Sequence, residues 1–584
     1  MTFALNVEQS ITGQPWRWRS SGEPGLTPDA LVDELLLARG VARDDLARHR
    51  TPTIRDFLPD PSCFKDMDKG AIRLADAVQV GERVAIFGDY DVDGATSAAL
   101  LVLLLRRLGA DPIVYIPDRL MEGYGPSGKA LVELQGRGAS LAICVDCGAQ
   151  AFEALEEAKS AALDVIVVDH HQCASLLPVA FALINPNRLD ENELAASHGH
   201  LAAVGMAFLL GVALVRELRS REFFTGVRVE PKILDLLDLV ALGTVADVAR
   251  LKTLNRAFVT QGLKIMSGKQ NIGLAALAEA ARLVRPPVCR DLGFALGPRI
   301  NAGGRVGKSD LGVRLLTCTD PEEARTIAAE LDRLNEERRA IEMLVCEQAM
   351  TQAETQRDEP VITVMSSGWH QGVIGIVAGR VKERFGRPAI VIAECEDGSG
   401  KGSGRSISGV DLGAAVLAAK ESGLLIAGGG HAMAAGLTLS AGGLEAFRAF
   451  INHRLSADVE ASRGGRALLL DALLAPGGVA GTLCDALDAA GPYGAGWPAP
   501  RVAAGPARLL RTGVVGDDHV RGLACGEDGK SFKWIAFRSA DTPLGQALLS
   551  SPGDKRWWLA GTVRRDEWNG GNAAEMHLED AALA

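Results

Sequence analysis

Four apolar runs in this chain end in acid, and they constrain its fold more than any other feature. "VAIFGDYDVDG" (84–94) runs into Asp89, Asp91 and Asp93, and "LAICVDCG" (141–148) into Asp146. "LDVIVVDHH" (163–171) ends in Asp169, His170 and His171, and "LLDLVALGTVADVA" (236–249) places Asp247 after its apolar stretch. From about 65 to 255, runs of strand length alternate with alanine- and leucine-rich helical stretches, the texture of parallel βαβ units. In an open parallel α/β sheet, ligands bind beyond the carboxyl ends of the strands. Segments far apart in sequence therefore converge there. An isolated Asp at a strand end is ordinarily a helix cap or a turn former. Four sets together, with adjacent histidines, point instead to a site.

Carboxylates packed this closely raise one another's pKa unless a cation lies among them. The triplet in "DYDVDG" is not an EF-hand. Position twelve, counted from Asp89, is Leu100 where a Glu is needed, and a strand precedes the loop where a helix should. Oxygen ligands with one or two imidazoles suit manganese or magnesium better than thiolate-rich zinc. Two such ions about 3.5–4 Å apart are the usual arrangement for phosphodiester hydrolysis, where they acidify water and offset charge on phosphorus oxygens.

With 584 residues the chain exceeds one core. We divide it into a polar, proline-punctuated lead-in (1–64), an α/β domain (65–319), one long helix (320–357), a second α/β domain (358–460) and a β domain (461–584). Asp320 is a good N-cap with Pro321 in the first turn. Apolar residues then recur at Ala324, Ile327, Leu331, Leu334, Ile341 and Val345, in steps of three, four or their sum. A helix of that length spans roughly 55 Å, long enough to join two lobes. "VITVMSS" and "PAIVIAE" read as strands of the second lobe, and the segments beyond about 465 read as a small antiparallel β domain, in the manner of a five-stranded barrel.

The net charge of −11 argues against a basic nucleic-acid coat, but not against an enzyme that grips phosphate through metal ions and local arginines. The ten cysteines have no pairing rhythm, so free thiols are expected, Cys147 included. No transmembrane span or signal peptide is legible, and a cytoplasmic location is expected.

"DYDVDG", "VDCG", "VDHH" and "GTVADVA" together resemble the DHH phosphoesterase superfamily. "IPDRLMEGYGPS" (116–127), "FALGPRINAGGRVG" (294–307), "WHQGVIGIVAGRVKERFGRP" (369–388), "GSGRS" (402–406) and "GGGHAMAAG" (428–436) look like its RecJ family of single-stranded-DNA exonucleases. The last segment is similar to that family's second, DHHA1-type lobe. The resemblance implies a 5′-to-3′ exonuclease that releases mononucleotides in recombination and repair, with two Mn2+ or Mg2+ ions. It implies a monomer of two lobes joined by a helix, followed by an OB-fold, and cooperation with a helicase and a single-strand-binding protein.

By resemblance, Asp91, Asp93, Asp146, His170 and Asp247 ligate metal, and His171 contacts the scissile phosphate. Asp89 and Asp169 are ligands or orienters of ligands. Arg119, Arg299, Asn301, Arg305, Ser403, Arg405 and His431 contact substrate, Ser403 and Arg405 at a terminal 5′-phosphate, where a bidentate donor is apt. The glycines of "GPRINAGGRVG" would let backbone approach phosphate. In the β domain Trp534, Trp557, Trp558 and Trp568 are stacking candidates, although Trp534 and one of Trp557 and Trp558 should face the core. Arg556, Arg564 and Arg565 are better placed for the DNA backbone. The alternatives are a DHH-type phosphodiesterase acting on dinucleotides or other short substrates, and a non-catalytic DNA-binding scaffold.

Overall fold

A computed structural model describes residues 3–19, 27–119, 121–462, 467–551, 553–566 and 573–584; Trp568 lies outside them. The chain forms two compact units, Phe57–Arg463 and a second made of Met1–Asp56 with Gly464–Ala584. The stretch expected to be a separate lead-in thus belongs, through Asp56, to the C-terminal unit. The reason is a strand, Trp16–Trp18, which pairs in parallel with Leu468–Leu470 and buries Trp16 completely.

The larger unit begins with a five-stranded, all-parallel sheet. Its strands β1 (Val84–Gly88), β2 (Ile113–Tyr115), β3 (Leu141–Val145), β4 (Asp164–Val168) and β5 (Ala182–Ile184) stand in the order β2-β1-β3-β4-β5. Every residue of β1 and β3 is buried, because helices cover both faces of such a sheet. The register aligns Gly88, Val145, Val168 and Ile184 as the last paired residues. One residue further on, Asp89 donates its N–H to Val145 O (3.3 Å), Asp146 to Val168 O (3.0 Å) and Asp169 to Ile184 O (3.1 Å). The edge expected to collect acid does so on three adjacent strands.

The fourth acidic segment arrives differently. "LLDLVALGTVADV" is helix α3 (Leu237–Ala246), with Asp247 as its C-cap. It follows α1 (Val92–Arg107) and α2 (Ala203–Ser220) and precedes α4 (Thr253–Ser267). Residues Leu237 to Thr244 are all buried, and a helix buried on every side has the same unbroken apolar pattern as an interior strand.

"GPRINAGGRV" is also helical, as α5 (Gly297–Val306). Its glycines serve close packing. A Cβ on Gly304 would lie 2.9 Å from Tyr90 O, and one on Gly307, just past the helix, 2.5 Å from Leu334. The long helix is α6 (Pro321–Glu354), 34 residues, with the Asp320 carboxylate accepting from Glu322 N at 2.9 Å. Ala324, Ile327, Leu331 and Leu334 are buried in its first half. Val345, Ala349 and Ala353 in its second half join the core of the next lobe. That lobe has strands β6 (Ile362–Ser367), β7 (Ala389–Glu394), β8 (Gly400–Arg405), β9 (Ala427–His431) and β10 (Ala434–Leu439) in the order β9-β10-β8-β7-β6, with helix α7 (Ile374–Phe385) packed into the α6 side. Only β6 and β7 run parallel.

In the second unit, Val502–Val515, His519–Cys525, Ser531–Ala536, Ala574–Leu583 and Arg556–Arg565 follow one another around a barrel that closes by pairing the first with the last. This is OB-fold connectivity, with one parallel pair that a purely antiparallel reading did not anticipate. Trp534 and Trp557 are buried while Trp558 is half-buried. Arg556 pairs with Glu527 and Arg565 with Asp485. All ten cysteines are free, and among the described residues no helix is long and apolar enough to cross a membrane.

A Cβ on Gly94 would lie 2.4 Å from Asp89 O and 2.6 Å from Asp89 N. Neither backbone atom can yield without moving the acidic loop. Gly94→Ala is therefore expected to cost about 1–3 kcal/mol, the range for overpacking, and to weaken manganese binding. Chemical unfolding and metal titration of the variant check both.

Candidate metal centre

Each acidic side chain is aimed by a local element. Asp91 caps α1, its Oδ1 accepting from Asp93 N (2.8 Å) and Gly94 N (3.1 Å). Asp93, fully buried, accepts from Ala203 N (2.7 Å) and Val204 N (2.9 Å) at the start of α2. Helix N-termini supply such donors readily. Asp146 holds a left-handed backbone (φ 61°), uncommon for a non-glycine residue, and the Tyr124 hydroxyl bonds its carbonyl at 3.0 Å.

Three groups of ligand atoms lie close enough to share an ion: Asp89, Asp91 and Asp146; Asp93, His170 and Asp247; and Asp146, His170 and His171. Asp146 and His170 each belong to two groups, so the sets merge into one centre. His170 Nε2 lies 3.3 Å from Asp146 Oδ1 and 3.9 Å from Asp93 Oδ2, and its Nδ1 lies 3.9 Å from Asp247 Oδ2. Divalent cations fit this donor set. Asp89 Oδ1 and His170 Nε2 are both buried without a hydrogen-bond partner among the described residues, although buried polar atoms are normally satisfied.

The electrostatics agree. Burial, then the Asp247 charge, raises Asp93 to about 7. Burial, then the Asp91 charge, raises Asp247 to about 7. Asp89 and Asp146 are raised by the same two causes, burial first and neighbouring carboxylates second.

Asp169 stands apart. Its oxygens accept from Ala149 N (2.9 Å), His170 N (2.7 Å), His171 N (3.2 Å) and His171 Nδ1 (2.7 Å). Burial opposes its ionisation, but the His171 ring outweighs it and holds Asp169 at about 2. Burial likewise opposes charging of His171, and the Asp169 bond prevails, raising the imidazole to about 9. This geometry makes Asp169 an orienter of His171.

Beside the Asp89–Asp91 end lies a group of cations. Arg119 stacks over the Tyr90 ring, 4.8 Å from its centroid. Arg305 donates to Gly372 O at 2.8 Å. Burial pushes its guanidinium down to about 9, and Arg119, Arg338 and Arg405 press the same way. Arg405 donates to Ser403 Oγ (3.2 Å) and Gly404 O (2.8 Å), next to the first turn of α7, where a Cβ on Gly375 would meet Ser403 Oγ at 2.9 Å. Among the described residues Arg119, Arg305 and Arg405 form no ion pair. Asn301 is half-buried one helical turn before Arg305. His431 is exposed at the end of β9.

Arg299 is not brought to this group. It pairs with Asp332 on α6 at 2.8 Å and donates to Ala295 O at 2.7 Å, tying α5 to the long helix. Two residues escaped the sequence reading. Tyr124 reaches both the Asp146 carbonyl and His171 Nδ1 (3.1 Å). Its signal was a tyrosine between Gly123 and Gly125, both at positive φ. Arg338 joins the cations from mid-helix, paired with Glu342, and gives no sequence signal of its own.

A parallel sheet with this acidic edge, followed by a helix-linked second lobe, defines the DHH class. Residues 83–244 match the DHH family, N-terminal domain, residues 358–457 the DHHA1 domain and residues 470–580 the RecJ OB domain. The single-stranded-DNA-specific exonuclease RecJ of Escherichia coli (strain K12) is 39% identical over 562 residues, covering 94% of this chain and 95% of that protein. RecJ of Thermus thermophilus is 32% identical over 574 residues, 97% of this chain and 78% of that protein. The crystal structure of the Thermus thermophilus RecJ in complex with Mn2+ superposes with a TM-score of 0.79 at 29% identity, over 97% of this chain and 79% of that one. Its complex with Mg2+ gives 0.73 at 28%, over 97% and 78%. The chain belongs to the RecJ family of single-stranded-DNA-specific exonucleases.

Asp93 and Asp247, near 7 when folded against 3.8 ordinarily, bind protons in the folded state that the unfolded chain has released. Their contribution to metal-free stability therefore falls as pH rises from about 4 to about 7. Cations compete with those protons. Manganese at a hundred times its dissociation constant should add about 2.7 kcal/mol. At a fixed manganese concentration the melting-temperature gain should be larger near pH 8 than near pH 5.5. Equal gains at both would contradict the assignment.

Proposed function

We propose that this chain is a metal-dependent 5′-to-3′ exonuclease that hydrolyses single-stranded DNA to mononucleotides, serving recombination and repair. One observation carries the reading. A buried acidic centre suited to divalent cations adjoins three arginines, Arg119, Arg305 and Arg405, that have no anionic partners among the described residues, all within one compact unit. A phosphodiester with a terminal phosphate matches both halves.

Asp89, Asp91, Asp93, Asp146, His170 and Asp247 would hold the ions. The chemistry that bound dications supply is Lewis-acid polarisation of the phosphodiester and acidification of water. His171, kept protonated by Asp169, is suited to donate from Nε2 to a non-bridging phosphate oxygen, since its Nδ1 is engaged. Arg119 and Arg305 offset charge on the strand, with Asn301 and His431 as further contacts. Ser403, Arg405 and the N–H groups of the first α7 turn form a receptor for the terminal 5′-phosphate. A receptor at one fixed distance from the metal centre admits only a chain end, which gives the enzyme its polarity and its one-nucleotide step. The barrel of the other unit offers the single-strand-binding architecture that OB-folds use. On the same reading the enzyme works as a cytoplasmic monomer beside a helicase and a single-strand-binding protein, which the similarity to RecJ supports.

A manganese-dependent time course on 5′-labelled and 3′-labelled oligonucleotides tests this. Labelled mononucleotide should appear at once from the 5′ label and only late from the 3′ label; activity confined to dinucleotides would favour a small-substrate phosphodiesterase. Asp146→Ala should cut the rate by at least about a hundredfold, since even residues that merely orient ligands cost 10–100-fold. Arg405→Ala should reduce the preference for 5′-phosphate over 5′-hydroxyl ends by about tenfold or more, the value of a charged hydrogen bond. Unchanged end preference would remove Arg405 from the receptor.

A further inference from the structure

The arginines stand at the Asp89–Asp91 end of the metal centre. Its other end, at His170 and Asp247, opens into a cavity of about 490 Å3, a size that encloses a small ligand. Besides those two residues its wall includes His200, Val248, Arg250 and Lys252.

Val248 is the unusual member. It follows the C-cap of α3, where its N–H bonds Val245 O (3.1 Å) and Ala249 N–H bonds Thr244 O (3.2 Å). This wrap ordinarily ends with a glycine in the left-handed region. Val248 adopts φ 61° instead, and the residue is 70% exposed. A β-branched residue is among the costliest choices for that conformation, and an exposed side chain recovers little of the cost by packing. Glycine would close the helix with less strain, and the exposed isopropyl group is free to meet a ligand in the cavity.

The rest of the wall favours an anion. Arg250 and Lys252 are exposed and form no ion pair among the described residues. His200 bonds Thr253 Oγ1 through Nε2 (2.9 Å) and Ser197 O through Nδ1 (3.2 Å). Burial, then the Lys252 charge, lowers it to about 4, so it is neutral. Asp247 is the sole carboxylate in the wall, and it faces the metal centre. Apolar contact beside two unpaired cations suits a sugar followed by a phosphate.

We propose that this cavity is the subsite for the nucleotide on the 3′ side of the scissile bond, with Val248 against its deoxyribose and Arg250 and Lys252 on the phosphate that follows. The assignment rests on the exonuclease reading above. With the terminal phosphate at the arginines and the scissile phosphate at the metals, the retained strand leaves past His170 and Asp247.

The discriminating substrates are a 5′-phosphorylated dinucleotide, which lacks the phosphate after its second residue, and the trinucleotide, which has it. In wild-type protein with manganese, kcat/KM should favour the trinucleotide. In the R250A/K252A double variant that ratio should fall about tenfold or more. An unchanged ratio overturns the subsite, as does an effect confined to inhibition by added mononucleotide, which would make the cavity a product site. Val248→Gly should unfold at or above the wild-type temperature yet lose about tenfold in kcat/KM on both lengths, the scale of one apolar contact. Unchanged kcat/KM would show that the side chain has no role toward substrate, and a lower unfolding temperature would overturn the strain on which its assignment rests. Wild-type protein that left 5′-phosphorylated DNA intact would defeat the exonuclease reading itself; active wild type with unaffected variants defeats only the subsite.

Discussion

Mutual repulsion among buried carboxylates at the edge of the parallel sheet is the constraint on which the rest of this structure depends. Burial and neighbouring charge both oppose ionisation of Asp89, Asp93, Asp146 and Asp247. The fold answers part of that cost with backbone donors: the first turn of α1 for Asp91 and the first turn of α2 for Asp93. The remainder is left for cations. A site built this way is organised before its ions arrive, because each carboxylate is aimed by an element that the core already holds in place.

The cationic half follows the same logic with opposite sign. Arg119, Arg305 and Arg405 come from a loop after β2, from α5 and from β8, and burial disfavours the charge on Arg305 and Arg405 as it does on the acids. Tyr90 connects the two halves. It lies between Asp89 and Asp91, carries Arg119 on its ring and has the Gly304 backbone against its carbonyl. Helix α6 carries the ion pair that anchors α5 in one lobe and buries its later turns in the other. The unpaired arginines and the acidic centre thereby lie in one compact unit.

Much of this was legible in the residues. "VAIFGDYDVDG", "LAICVDCG" and "LDVIVVDHH" announced buried strands ending in acid, and Asp320–Pro321 announced the long helix. The errors came where pattern underdetermines conformation. The apolar run before Asp247 has no period to separate a helix buried all round from a strand. The glycines of "GPRINAGGRVG" read as room for backbone to approach phosphate, but in α5 they let neighbouring chain approach. Arg299 and Arg305 look alike in sequence, six residues apart, yet one pairs with Asp332 and the other joins the unpaired cations, because α5 points them at different neighbours.

The sequence by itself determined the class of fold and which carboxylates and imidazoles form the candidate metal centre, since strand periodicity and carboxylate clustering are local properties of a chain. Only the tertiary structure decided that Asp169 accepts from the His171 ring, that the first 56 residues belong with the barrel, and that Tyr124 and Arg338 come close to the site. Those outcomes depend on which surfaces are brought within hydrogen-bonding distance across hundreds of residues. Spacing along the chain does not carry that information.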